Sequence, residues 1–429
     1  MNGPVQGRAR APGDGGLPAQ GMSADDVLAA LSGLKASNPG LRETLMSLGV
    51  NYCGDDVFEV ATRAQTLFAH DNNVWVEACP GSLEIEQGVL DFAAGLLSGG
   101  EPGVVATMTS GGSESIFNAV HAARERAGKL RPDIERPKWV CSFDAHPAIT
   151  KACHYLGIEL VRLPDKDFRA DVEAFAAAVD ERTIGLYASA PCFPFGLYDD
   201  IPALGALALE HDLWLHCDAC VGGFLAPFFR RLGEPVPPWD FSVPGVTSVS
   251  ADIHKFAYGL KPASVTAWRD ASLIEYHRSG VVVHDWPLGH YESAGFVGSR
   301  PTGSVAAAWA VIHYLGEDGY LERAREILRA RSALLAGLET IAGIAFPVPP
   351  PELQIVTYAG AGGVSVDQLL RGMEERGWIH FADAEPPLVQ FLVDPGAGAI
   401  LDDYLADLAE VAALARDGAF TEDRATKAY

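Results

Sequence analysis

Apolar positions in the first part of the chain recur at helical spacing. Leu28, Leu31 and Leu34 follow Ser23-Ala24-Asp25-Asp26, an N-cap with acids in the first turn, and predict a helix within residues 23–48. A second helical stretch covers 57–69, and Ile85, Val89, Leu90, Phe92, Ala93, Leu96 and Leu97 place a third over 83–97. Between them Asp71-Asn72-Asn73 breaks the pattern, leading into Val74-Trp75-Val76 and a Pro80-Gly81 turn. From residue 104 the texture alternates. Short apolar runs at 104–108, 139–141, 158–161, 183–188 and 213–217 predict strands. The stretches 113–127, 148–156, 171–179 and 201–210 predict helices between them. Apolar strands separated by helices predict an α/β chain whose mostly parallel sheet is covered on both faces. After Pro301 the pattern changes again. Helices over 305–315 and 321–338, short strands at 355–358, 378–380 and 388–393, and a helix over 402–415 predict a smaller α+β unit. No internal repeat is visible.

The expected organisation is a tail over 1–21, a helical arm over 22–60, a large domain over 61–310 and a small C-terminal domain over 311–429. The first 21 residues are rich in Gly, Pro and Ala and lack the apolar core of a signal peptide, so they predict a disordered tail. With 48% hydrophobic and 21% charged residues, the 429-residue chain is globular and can bury a large core. Its net charge of −24 argues against nucleic acid and anionic membrane surfaces as partners. No uninterrupted apolar run reaches the ~18–20 residues of a membrane span. The seven cysteines are odd in number and scattered, which suits a reducing compartment and predicts a cytoplasmic protein. Cys217 and Cys220 are spaced as C-x-x-C, but on a strand they would point to opposite faces, so no metal or redox role is expected.

Three segments at predicted strand ends carry candidate chemistry. Thr109-Ser110-Gly111-Gly112-Ser113-Glu114-Ser115 follows a strand and opens a helix. Gly111 and Gly112 permit close backbone approach, and the N–H groups of a helix start favour a phosphate. Taken alone, the same residues describe an ordinary serine N-cap with a glutamate in the first turn. In the second segment, Asp218 ends the apolar run Trp214-Leu215-His216-Cys217. A buried carboxylate is costly without a cation or donors, and a protonated pyridine nitrogen would satisfy it. Taken alone, Asp218 would cap the next turn. In the third, His254-Lys255 closes the short β-like run around Val246 and Val249, just before Gly259 and Pro262. A lysine held at a strand end can be aimed at a carbonyl to form an imine, for which its amine must be unprotonated. A phosphate seat, a pyridinium partner and an imine lysine on an α/β scaffold are the requirements of pyridoxal 5′-phosphate (PLP). Ligands of such sheets sit beyond the strand carboxyl ends.

These segments, together with Val243-Pro244-Gly245-Val246-Thr247-Ser248 and Gly298-Ser299-Arg300-Pro301, resemble the sphingosine-1-phosphate lyases of the group II PLP-dependent decarboxylase superfamily. The resemblance runs over roughly 83–319. It implies fold type I: a large domain with a mostly parallel, seven-stranded-type sheet covered by helices, plus a small C-terminal α+β domain. It also implies a homodimer with active sites at the subunit interface. Lys255 would carry the imine, Asp218 would hold the pyridine nitrogen, and His146 in Asp144-Ala145-His146-Pro147 would stack on the ring. The phosphate would be held at Gly111, Gly112 and Ser113, by His254, and by Ser299 of the neighbouring subunit. Lys261 matches a substrate-phosphate contact, and no metal is implied. Two segments depart from the pattern. Asp71-Asn72-Asn73-Val74 replaces an Asn-Pro-Leu-His-Pro-like run, and Phe193-Pro194-Phe195-Gly196 puts Phe195 where the lyases carry a polar histidine. The cofactor machinery is thus kept while the substrate wall is changed. The expected activity is a carbon–carbon lyase acting on a small amine or amino acid. It would be a retro-aldol cleavage (or its reverse) or an α-decarboxylation. Transamination, β-elimination and a PLP-binding scaffold without catalysis are the remaining readings.

Overall fold

The computed structural model describes residues 20–36, 52–74, 79–278, 282–292 and 295–420. Nearly all of the expected tail, and residues 37–48 of the first helical stretch, lie outside the described residues. Helix α1 (Ala24–Lys35) is capped by the Ser23 hydroxyl, which accepts from the Asp26 amide. Helices α2 (Asp55–Leu67) and α3 (Pro80–Leu97) follow, each within a few residues of its predicted place.

The alternating region then unfolds in order: β1 (Val105–Thr109), α4 (Gly112–Leu130), β2 (Lys138–Ser142), α5 (Ala148–Leu156) and β3 (Glu159–Leu163). A two-residue ribbon, β4 (Asp165–Lys166) with β5 (Arg169–Ala170), leads to α6 (Val172–Ala178) and β6 (Thr183–Ser189). Next come α7 (Ile201–Glu210), β7 (Trp214–Asp218), α8 (Ala226–Arg231), β8 (Val246–Ala251) and β9 (Ser264–Trp268). These strands build one seven-stranded sheet in the order β1-β9-β8-β7-β6-β2-β3. The pairs from β3 through β8 are parallel, whereas β9 is antiparallel to both β8 and β1. Two reversals cancel, so β1 points the same way as β8. Every strand of the sheet except β9 therefore delivers its carboxyl end to one edge. The reading of the sequence did not place β9, because the Gly259 and Pro262 breaks hide a five-residue strand between turns.

One face of the sheet is covered by α4 and α5, which bury Ile116, Val120, Ala123 and Ile149 against Trp139, Trp214 and Trp268. The other face packs on α3, α6 and α7, and a long helical element described below packs on α2, α3 and α8. Burial of this much apolar side chain is the main favourable term holding the layers together.

Beyond β9 come a short helix α9 (Ile274–His277) and an exposed hairpin, β10 (Val282–Trp286) with β11 (Gly289–Glu292). Helix α10 (Thr302–Thr340) is two helical stretches joined at Gly316 (φ 56°, ψ −174°). That left-handed φ suits glycine, and the junction falls between the two helices predicted there. A four-stranded antiparallel sheet follows, ordered β12 (Ile344–Ala345), β13 (Ile355–Gly360), β15 (Pro387–Leu392), β14 (Phe381–Ala384). Helices α11 (Val366–Glu374) and α12 (Leu401–Arg416) complete this part. The strand expected at 378–380 is not formed. The Trp378 indole N–H donates to Asp407 (2.7 Å), and the His380 ring meets the Tyr404 hydroxyl (2.9 Å), so both side chains are committed to α12. Among the described residues no helix is long and apolar enough to cross a membrane.

Candidate active site

Lys255 is placed by the turn that ends β8. The Lys255 amide donates to the Asp252 carbonyl (3.1 Å), and the His254 amide to that of Ala263 (3.0 Å). Ile253, Phe256 and Ala257 are buried and anchor the turn on both sides of the lysine. The Lys255 ammonium lies 2.9 Å from Asp252 Oδ2. Burial alone would lower its pKa. The carboxylate of Asp252, helped by Cys220 and Asp218, outweighs this and moves it up. The sequence asks for an unprotonated amine here, and the structure pairs that amine with a buried acid that favours its charged form. Asp252 Oδ1 also accepts from the Ser264 hydroxyl (2.6 Å), which fixes the acid's orientation.

Asp218 ends β7 and meets three donors. Its Oδ1 accepts from the Cys220 amide (3.0 Å) and the Ser250 hydroxyl (2.9 Å), and its Oδ2 accepts from the Tyr187 hydroxyl. Parallel register explains the convergence, since Asp218 pairs with Ser189 on β6 and with Ser250 on β8. Burial by itself would raise the carboxyl's pKa. The positive potential of His146 and the Cys220 and Tyr187 donors more than offset it and hold the pKa down at about 2. Asp218 is therefore a permanent buried anion. Directly behind it, burial pushes His216 down to about 4, leaving it neutral at neutral pH against Ser248 Oγ (2.9 Å).

The first amides of α4 have no preceding turn to accept them and face the same space. Glu114 shapes this turn. One carboxylate oxygen accepts from the Ser110 amide (2.7 Å) and hydroxyl (2.6 Å), and the other from the Phe296 amide (2.7 Å). Gly112 is required by close approach, because a Cβ there would lie 2.5 Å from Cys220 Sγ and 3.1 Å from Asp252 Oδ1. His254 Nδ1 accepts from the Ala263 amide (3.3 Å), and burial lowers its pKa. His146, on the turn after β2, accepts at Nδ1 from the Ala148 amide (3.2 Å).

Gly111, Gly112, Ser113, His146, Asp218, His254 and Lys255 all line one cavity of about 420 Å³ at the carboxyl edge of the sheet. Three other expected site residues lie elsewhere. Phe195 is buried against Phe168 (ring centroids 5.0 Å apart) and borders a different, outer hollow with Phe143 and Arg162. The aromatic residues that line the main cavity are Phe193, Phe256 and Phe381, the last contributed with Leu392 by the small sheet. Ser299 is exposed, away from its own subunit's cavity, and takes a hydrogen bond from Asn72 Nδ2 (2.9 Å). Lys261 lies outside the cavity lining, although the charges of Lys255 and Asp252 act on it.

A family model described as "Pyridoxal-dependent decarboxylase conserved domain" matches residues 52–342. The chain belongs to this pyridoxal-dependent decarboxylase family. It is 37% identical over 360 residues to the sphingosine-1-phosphate lyase of Arabidopsis thaliana, covering 82% of this chain and 65% of that one. It is 36% identical to sphingosine-1-phosphate lyase 1 of Rattus norvegicus, covering 84% of this chain and 63% of that one. This chain thus spans just under two thirds of the length of these relatives. The structure of the Burkholderia pseudomallei sphingosine-1-phosphate lyase superposes with a TM-score of 0.87 at 33% identity, covering 94% of this chain and 93% of that one. The fold is that of the fold type I PLP-dependent enzymes, and the cofactor of the family is PLP. The residues present fit that group. The cavity has the volume of a small-ligand site. Its lining includes both the helix-start residues Gly111, Gly112 and Ser113, whose amides suit a phosphate, and the Asp218 anion, which suits a pyridine nitrogen.

The sequence reading gave no role to Tyr187, Ser250, Cys220, Asp252, Glu114 or Phe193. For Tyr187 the only signal is strand parity, because it lies two residues before Ser189 on the strand beside β7. Tyr187→Phe removes one of the donors to Asp218. It is expected to cost about 1–2 kcal/mol in a denaturant titration while leaving PLP bound. A wild-type unfolding midpoint would show that the phenol does not support the anion.

Proposed function

We propose that this protein is a PLP-dependent carbon–carbon lyase that acts on a β-hydroxy amine or amino acid by retro-aldol cleavage or its reverse. The observation that carries the proposal is that Lys255 and Asp218 line one cavity, with the start of α4 beside them. When bound, PLP would supply an aldehyde to pair with an amine and an electron sink for a bond broken beside that amine, with Lys255 as the residue that would hold it covalently. The protein's part is positional and electrostatic. Gly111, Gly112 and Ser113 seat the phosphate with His254, and His146 covers the ring. Asp218 stays ionised at every working pH and so keeps the pyridine nitrogen protonated. Asp252 Oδ2, 2.9 Å from the Lys255 Nζ, holds that amine in place within the cavity. Once released, Lys255 and His146 are the groups within the cavity that can return a proton to the product.

Ser299 serves the phosphate of the neighbouring subunit in a homodimer whose active sites lie at the interface. Its exposed position outside its own cavity supports this assignment. Lys261 is assigned to a substrate anion at the rim. The seven cysteines, none of them in a disulfide, support a reducing, cytoplasmic setting. A second reading, α-decarboxylation of an amino acid, is supported by the cavity wall of Phe193, Phe381 and Leu392, which suits an apolar amino-acid side chain.

Product analysis with PLP-loaded protein tests both. An aldehyde plus an amine from a β-hydroxy amine is the expected result, and carbon dioxide plus an amine supports the second reading. A protein whose visible spectrum does not change on adding PLP overturns both.

A further inference from the structure

The Asp71-Asn72-Asn73 break, which departs from the family pattern, closes on the segment that follows the β10–β11 hairpin. Asn72 and Pro301 form an isolated antiparallel bridge. The Asn73 amide donates to the Arg300 carbonyl (3.2 Å), and the Thr302 amide to the Asp71 carbonyl (3.4 Å). Side chains tighten the seam. Asn73 is buried, its Oδ1 accepts from the Thr302 hydroxyl, and its Nδ2 donates to Glu86 on α3. The other carboxylate oxygen of Glu86 faces the Arg300 guanidinium at 3.7 Å. At the start of the same segment Glu114 accepts from the Phe296 amide (2.7 Å). Residues 296–302 are thus pinned at both ends, with Ser299 between the pins.

Asn72 touches Ser299 itself. Asn72 Oδ1 accepts from two backbone amides, those of Arg300 (3.1 Å) and Val74 (3.1 Å). An amide oxygen held by two N–H donors fixes which way the group faces, so the direction of its Nδ2 end is set as well. That end donates to Ser299 Oγ (2.9 Å). The hydroxyl oxygen has thereby accepted a bond, and its one hydrogen is left to donate. Ser299 is exposed, and among the described residues no acceptor takes that hydrogen. A hydroxyl prepared in this way suits a group that only accepts, and a phosphate oxygen is such a group.

We propose that Asn72 is a positioning residue for the cofactor phosphate: its amide sets the Ser299 hydroxyl as a hydrogen-bond donor, outside its own subunit's cavity, for the phosphate bound by a second copy of the chain. The division of labour follows from the contacts. Asn73, Glu86 and Glu114 hold the backbone of the segment, and Asn72 fixes the polarity of the hydroxyl. Asn72 acts on the cofactor only through Ser299. The proposal rests on the assignment of Ser299 to the neighbouring subunit's phosphate, and adds to it the residue that makes the serine fit for that task.

The test uses Asn72→Asp. This change keeps an oxygen for the Arg300 and Val74 amides but offers Ser299 a second oxygen in place of the N–H. The Ser299 hydrogen then turns onto the new carboxylate and is lost to the phosphate. Affinities for PLP and for pyridoxal, which lacks the phosphate, are measured by visible absorbance in wild type, Asn72→Asp, Ser299→Ala and the double variant. Asn72→Asp and Ser299→Ala are each expected to weaken PLP by about 10–100-fold and to leave pyridoxal at its wild-type affinity. The double variant should match Ser299→Ala, because the acid acts through the hydroxyl. Equal loss of PLP and pyridoxal in Asn72→Asp would make Asn72 a structural residue and overturn the proposal. So would wild-type PLP affinity in that variant, or a further loss in the double variant, which would mark bare charge repulsion. If Asn72→Asp does not fold, Asn72→Ala is read in the same way. Wild-type PLP affinity in Ser299→Ala would overturn the Ser299 assignment and this proposal with it, and leave the lyase reading standing. Failure of every protein, wild type included, to bind PLP would sink both.

Discussion

Lys255→Ala is expected to abolish turnover, lowering it by at least about 10³-fold, because both the covalent anchor and a proton carrier are lost. PLP should still bind, held by the α4 amides and Asp218, but borohydride should no longer fix it to the protein. The substitution also has a structural effect. Asp252 is 3% exposed and loses its ammonium partner at 2.9 Å, keeping the Ser264 hydroxyl at 2.6 Å and the more distant His254 ring at 3.5 Å. Removing one partner of a fully buried pair costs about 3–5 kcal/mol. The Lys255 side chain is 26% exposed and water screens part of the pair, so about 1–3 kcal/mol is expected in a denaturant titration. Borohydride fixation of PLP to another lysine in the wild-type protein, Lys261 included, would remove Lys255 from its role. So would near-normal turnover by the alanine variant.

These strand ends were readable in the sequence because each coincides with a change from apolar run to a residue with strong chemistry: Thr109-Ser110 at the end of β1, Asp218 at the end of β7, Asp252 just after β8. A doubly covered parallel sheet brings such ends together without further information, and that is why the lysine, the aspartate and the glycine turn could be predicted to share a site. What surrounds them depends on register and was not readable. Tyr187 reaches Asp218 from 31 residues away only because β6 and β7 pair in parallel with Ser189 opposite Asp218. Ser250 reaches it from β8 for the same reason.

The aromatic wall shows a second limit. Phe193 and Phe195 are two residues apart, and strand parity would put both on one face. Instead Cys192 and Leu197 close a tight turn, with the Cys192 amide on the Leu197 carbonyl (2.9 Å) and the Gly196 amide on the Cys192 carbonyl (3.0 Å). Gly196 takes a left-handed φ of 71°, and a Cβ there would meet Ile355 at 2.7 Å. The turn sends Phe195 away to Phe168 and leaves Phe193 facing the cavity, edge-on to Phe381 with centroids 5.7 Å apart. The Gln390 side chain, from β15, holds this arrangement by donating to the carbonyls of Phe193 and Pro194. A residue of the small sheet thus sets which ring the large sheet presents, a dependence that no local pattern could reveal.

Asp218→Asn is expected to separate the electrostatic role of the acid from its structural one. The amide can keep its oxygen towards the Cys220 amide and Ser250 hydroxyl, and its N–H₂ can face the Tyr187 oxygen once that hydroxyl turns. The fold and PLP binding should therefore persist, at a cost of about 1–2 kcal/mol. Turnover should fall by about 10²–10³-fold, because a neutral partner no longer holds the pyridine nitrogen protonated as negative charge develops. Asp218→Ala leaves three buried donors without an acceptor and should cost about 3 kcal/mol or more. The pH dependence gives an independent check. The folded carboxyl titrates at about 2, below its unfolded value, so its contribution to stability is complete above the unfolded pKa and is lost only as pH falls towards 2. An acid limb in the activity profile between about pH 5 and about pH 7 must then come from another group, and it should keep its midpoint in Asp218→Asn. Wild-type turnover in that variant would mean that the anion is structural and that the electron-withdrawing state of the cofactor is set elsewhere.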